Sequence, residues 1–107
     1  MNKSTFGGGN AMIRHICMFT LKEDNREKNI IEFFERAEKL RELEIIKKFN
    51  IVRNAGRTPV SNYDVALIFD FDTVETLDEY QKSQRHMEFG EFVYSIRIDR
   101  ACIDYEI

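Results

Sequence analysis

Ile13-Arg14-His15-Ile16-Cys17-Met18-Phe19-Thr20-Leu21 is the stretch that decides the fold. In an extended chain Ile13, His15, Cys17, Phe19 and Leu21 share one face, and Arg14, Ile16, Met18 and Thr20 share the other. Both faces are largely apolar, so each has to be covered by protein. A single layer of helices covers only one of them.

The neighbouring segments supply the layers. Asp24 or Asn25 caps a helix expected to run to about Leu43, with Ile30, Phe34, Ala37 and Leu40 recurring at three- and four-residue spacing and Ile31 and Phe33 widening the stripe. A second strand is expected from Ile45 to Arg53. The turn-forming run from Asn54 to Asn62, which holds the chain's one proline, reads as a loop. From Tyr63 to Phe71 apolar Tyr63, Val65, Leu67, Phe69 and Phe71 alternate with Asp64, Ala66, Ile68 and Asp70, which predicts a third strand. Asp72 or Thr73 then caps a short helix with Val74, Leu77 and Tyr80 on its inner side. A break near Gln84 precedes a helical turn or two over His86 to Val93, and a last strand spans Ile96 to Ile107.

The order β-α-β-β-α-β predicts an α+β fold of ferredoxin-like type, a four-stranded antiparallel sheet with strand order 4-1-3-2. Its helices lie on one face. The other face stays apolar and open in a single copy, which predicts a homodimer joined through the sheets.

Composition narrows the function. The chain has 16 basic against 19 acidic residues, well interspersed, and no basic block to neutralise a phosphate backbone, so no nucleic-acid partner is expected. No apolar run approaches the ~20 residues that span a bilayer, so no membrane partner is expected either. Residues 1–11, with Gly7, Gly8 and Gly9, read as a flexible leader or as extra residues ahead of a start at Met12; one domain follows over 12–107. Two isolated histidines and two isolated cysteines make a poor ligand set, and no metal site is expected. Cys17 and Cys102 are expected to be unpaired thiols of a cytoplasmic protein.

The chemistry-bearing residues are few. His86 follows Tyr80 by six residues, and His15 sits in the first strand. Histidine titrates near neutrality, and a phenol beside it can donate a hydrogen bond to a developing oxyanion. Each residue also has a plainer reading: Tyr80 as a core ring, His86 as a helix-start residue bonded to a backbone carbonyl, and His15 as a satisfied core or interface histidine. On six-residue spacing, Tyr80 and His86 meet only if the helix breaks around Ser83-Gln84-Arg85. Phe69 and Phe89 are expected to line an apolar pocket with His15, and Arg14 and Arg100 read equally as edge charges or as anion contacts.

The segments Met12 to Ile16, Asn62 to Leu67, Tyr80 to Phe89 and Ile103-Asp104-Tyr105, taken in order, resemble the Dabb family of stress-responsive dimeric α/β-barrel domains. The resemblance implies two ferredoxin-like protomers whose sheets close into one barrel, and no cofactor. Most such proteins have no assigned activity. One plant member is a polyketide cyclase with a catalytic Tyr and His six residues apart at the end of its second helix, which Tyr80 and His86 reproduce, and with a first-strand His that matches His15. Ser83-Gln84-Arg85-His86 keeps only the last residue of the family's His-Pro-x-His, and Val65 stands where the cyclase has a further His. The expected function is a domain of unassigned activity that binds a small apolar ligand between sheet and helices. The alternative is a cofactor-independent lyase or cyclase that uses the Tyr–His pair on a carbonyl substrate. The sequence leaves open whether the chain is an enzyme.

Overall fold

The computed structural model describes residues 11–107, so the expected leader over 1–11 lies, but for Ala11, outside the described residues. The elements are β1 (Ile13–Leu21), α1 (Arg26–Glu38) with a 3-10 turn (Lys39–Glu42), β2 (Lys48–Arg53), β3 (Val65–Phe71), α2 (Val74–Lys82), α3 (Gln84–Ile96) and β4 (Arg97–Glu106). All strand pairs are antiparallel, in the order β2-β3-β1-β4, and the helices pack on one side. This is the α+β, ferredoxin-like sheet that the alternation predicts.

The core is the meeting of β1 and β3 with the three helices. Ile13, Cys17, Phe19 and Leu21 interleave with Val65, Leu67, Phe69 and Phe71, and Ile30, Phe33, Ala37 and Leu40 close over them. Phe33 is fully buried and meets Phe19 and Phe89 edge-on or tilted, at 5.8 and 5.3 Å between ring centres. Burying one such ring is worth about 1.5–3 kcal/mol, so this trio anchors α1 and α3 to the sheet.

Several boundaries differ from the sequence reading. The first helix passes into a 3-10 turn at Lys39, and Ile31, expected on the inner stripe, is 59% exposed. β2 starts at Lys48, because Ile45 and Ile46 pack against the core from irregular backbone. The expected turn or two after Gln84 is a continuous 13-residue helix, α3, and the last strand starts only at Arg97.

Cys17 and Cys102 form a disulfide, which corrects the expectation of free thiols. Strands β1 and β4 are neighbours, and Cys17 and Cys102 are direct cross-strand partners. The antiparallel register sets the two residues opposite each other, with their Cα atoms 4.2 Å apart.

On the open side of the sheet, Ile16, Met18, Ala66 and Ile68 are only partly covered, and Ile103 is 59% exposed. Arg14 lies on this face as well. Its guanidinium grips Asp70 with two bonds, Nε to Oδ1 at 2.8 Å and Nη2 to Oδ2 at 2.9 Å, and holds that carboxyl below the usual carboxylate range. Arg14 is therefore a sheet-face ion pair.

Candidate functional site

A short piece of backbone makes the site. Thr73 and Thr76 form a reciprocal capping box that starts α2 and sets Leu77 and Tyr80 on its buried side. The helix stops at Ser83, whose backbone is extended (φ −70°, ψ 151°). Its hydroxyl then does two jobs: it donates to the Tyr80 carbonyl at 2.7 Å and accepts from the His86 backbone N–H at 3.2 Å. Ser83 thus ends α2 and caps α3. On an unbroken helix, six residues would separate the two rings by roughly 9 Å of rise and put them on different sides. Across this one-residue break, Tyr80 and His86 meet edge-on with ring centres 4.7 Å apart.

The rings border a cleft of about 160 Å³ between the β1–β4 side of the sheet and helices α2 and α3. It is open because no helix among the described residues covers β4. Arg100, Cys102 and Asp104, opposite Phe19, Cys17 and His15 in the ladder, remain exposed. Phe19, Leu67, Phe89 and Val93 give the cleft its apolar surface, and Arg97 and Arg100 are its charged lining residues.

Of the residues singled out in the sequence, His15, Tyr80, His86 and Phe89 all line this cleft. Phe69 does not: it is sealed behind Tyr80, 5.8 Å from that ring, because β3 lies at the centre of the sheet under α2. His15 is buried and its Nδ1 bonds Asp104 Oδ1 at 2.5 Å, while its ring lies edge-on to Tyr80 at 6.3 Å. Asp104, Arg97 and Gly90 were not read as site residues. Strand register would have pointed to Asp104, since pairing Cys17 with Cys102 also sets His15 opposite Asp104.

Two polar atoms stand out. Tyr80 Oη and His86 Nδ1 are buried with no hydrogen-bond partner among the described residues. A buried hydroxyl or imidazole nitrogen without a partner costs about 1–3 kcal/mol, so such atoms are uncommon in folded proteins. Burial pushes the Tyr80 phenol well above its ordinary range and keeps it protonated, a donor. Burial also pushes His86 down from its ordinary value; the Gln81 backbone offsets part of this, and His15 and Arg100 add smaller downward pushes. A neutral imidazole faces a protonated phenol, and the pair can accept a proton at one side and hydrogen-bond an oxygen at the other. Among the described residues, no three His, Cys, Asp or Glu side chains gather as a metal-binding group.

The fold is that of a ferredoxin-like α+β domain. The model of the Dabb family, the stress responsive A/B barrel domain, matches residues 13–107, and the chain belongs to that family. Among curated proteins none matches. Solved structures are similar. A dimeric ferredoxin-like protein of unknown function from Thermobifida fusca superposes with a TM-score of 0.83 at 19% identity, covering 99% of this chain and 100% of its own. A Dabb family protein from Mesorhizobium loti gives 0.75 at 24% identity, over 89% and 95%. The hydroxynitrile lyase of Passiflora edulis gives 0.79 at 17% identity, over 92% and 94%. At these identities the likeness is one of fold.

Proposed function

We propose that the cleft beside α3 binds a small carbonyl-containing molecule and that Tyr80 and His86 transfer a proton on it, in a reaction of lyase or cyclase type. The carrying observation is the pair of unpartnered buried atoms, Tyr80 Oη and His86 Nδ1, at one cleft. In this reading His86 removes a proton from the carbon beside the carbonyl. The C–H electrons move into an enolate whose oxygen accepts a hydrogen bond from Tyr80, and the proton is later returned from His86. His15, held by Asp104, backs the Tyr80 ring. The apolar lining takes the remainder of the molecule, and a cleft of about 160 Å³ suits a ligand below the drug-sized range of roughly 300–1,000 Å³. The Passiflora lyase supports the reading to this extent: a fold of this kind carries lyase chemistry in that protein.

The working unit in this reading is a homodimer closed through the open sheet faces. The apolar residues left on that side support it, as do the similar structures described as dimeric.

The test is exchange of the acidic C–H proton of small ketones and aldehydes for deuterium, followed by NMR. Wild type should accelerate exchange for at least one compound, His86→Asn should abolish the acceleration, and Tyr80→Phe should reduce it by about 10²-fold or more. Compounds that bind in the cleft with no accelerated exchange would reduce the function to ligand binding.

A further inference from the structure

The cleft has a charged mouth as well as an apolar floor. Arg97 and Arg100 line it together with His15 and His86, and among the described residues no acidic side chain does, in a chain whose acidic residues outnumber its basic ones. Six of the nine arginines pair with carboxylates: Arg14, Arg26, Arg36, Arg41, Arg53 and Arg85. Among the described residues Arg97, Arg100 and the loop residue Arg57 make no ion pair, so two of these three stand at one cleft. Arg97 is held in place by stacking on Tyr94, 5.1 Å from the ring centre. Arg100 projects from β4 on the side that faces the helices, opposite Phe19.

We infer that the ligand of this cleft is an anion, a carboxylate whose charge sits between Arg97 and Arg100 while its apolar part lies on Phe19, Leu67 and Phe89. Guanidinium groups suit carboxylates because their N–H donors match the two oxygens. The inference rests on the cleft being the ligand site, as proposed above. It narrows the substrate class to an oxo acid with a compact aromatic or branched aliphatic group. The carboxylate is read at the mouth, and the neighbouring carbonyl reaches Tyr80 and His86. Asp104, whose carboxylate bonds His15, is not among the residues that line the cleft.

The test compares phenylpyruvate with its neutral methyl ester, by titration calorimetry for binding and by deuterium exchange at the methylene for turnover. Wild type should bind the acid at least tenfold more tightly than the ester, and the preference should shrink as salt rises, because these charges stand at an open mouth. Arg100→Gln should remove most of the preference and Arg100→Lys should restore part of it. In Arg97→Gln/Arg100→Gln, with an unchanged melting profile, acid and ester should bind alike. Equal affinities in wild type, a preference that survives the double substitution, or no binding of the acid would overturn the inference. Arginine-dependent binding without exchange would leave it standing and contradict proton transfer. Exchange of both compounds with no preference for the acid would do the reverse.

Discussion

At the scale of single residues, Tyr80 carries the sharpest conflict between stability and use. Its ring is fully buried against Phe69 and Phe71, yet its hydroxyl has no partner among the described residues. Removing that oxygen should relieve a desolvation cost. Tyr80→Phe is expected to raise unfolding free energy by about 1 kcal/mol in urea melts while it impairs proton exchange. A loss of stability would mean that the hydroxyl is satisfied in the native state. His86 gives a pH signature. Its folded pKa is depressed, chiefly by burial, below the ~6.5 of an unfolded histidine. The unfolded chain therefore binds the proton first as pH falls. The contribution from His86 is fully present above about pH 6.5, is lost as pH drops towards the depressed value, and levels off below it. Comparing urea melts of wild type and His86→Asn between pH 7.5 and 5 isolates this slope, which the variant should lack.

At the scale of elements, Ser83 and the β1–β4 ladder position the site. Ser83→Ala removes the hydroxyl that bonds both helices and should cost about 0.5–2 kcal/mol. Gly90 borders the cleft from within α3, and a Cβ there would meet nothing within 4 Å. Gly90→Ala should therefore stabilise the protein by about 0.5–1 kcal/mol through helix propensity; destabilisation in a thermal melt would contradict the packing. The strands were legible because alternation in β1 and β3 is nearly uninterrupted. The length of α3 was not, because Gly90 and the missing apolar stripe in its first turn mask the helical period. Asp104 was missed for a different reason: it gains meaning only from the cross-strand register, which no local pattern encodes. The cysteines fix that register. The expected free thiols followed from a default about compartment and not from the geometry of neighbouring strands. Thiol titration of the unfolded, unreduced chain should find no free group, and reductant should release two. With 85 residues of separation, breaking the bond should cost about 2–5 kcal/mol.

At the scale of the whole molecule, the sheet has one face under helices and one that no described element covers. Ile16, Met18, Ile68 and Ile103 form an apolar field on the open face, with the Arg14–Asp70 pair at its end. In the proposed homodimer, Met18→Glu would set a carboxylate into this field and should yield a monomer by sedimentation, whereas wild type should run at twice the chain mass. A wild-type monomer at micromolar concentration would leave that face without an account. The cleft lies on the opposite side of the sheet, so the separated protomer should still bind its ligand.

In the proposed function the cleft between the sheet and α2–α3 is a site where Tyr80 and His86 act on a carbonyl group. The decisive experiment is a crystal structure with a small bound oxo acid. The carbonyl oxygen should lie within about 2.6–3.2 Å of Tyr80 Oη, with the acidic carbon facing the His86 ring and the carboxylate between Arg97 and Arg100. A ligand lodged elsewhere, or a cleft closed with Tyr80 Oη and His86 Nδ1 both bonded to protein groups, would contradict it.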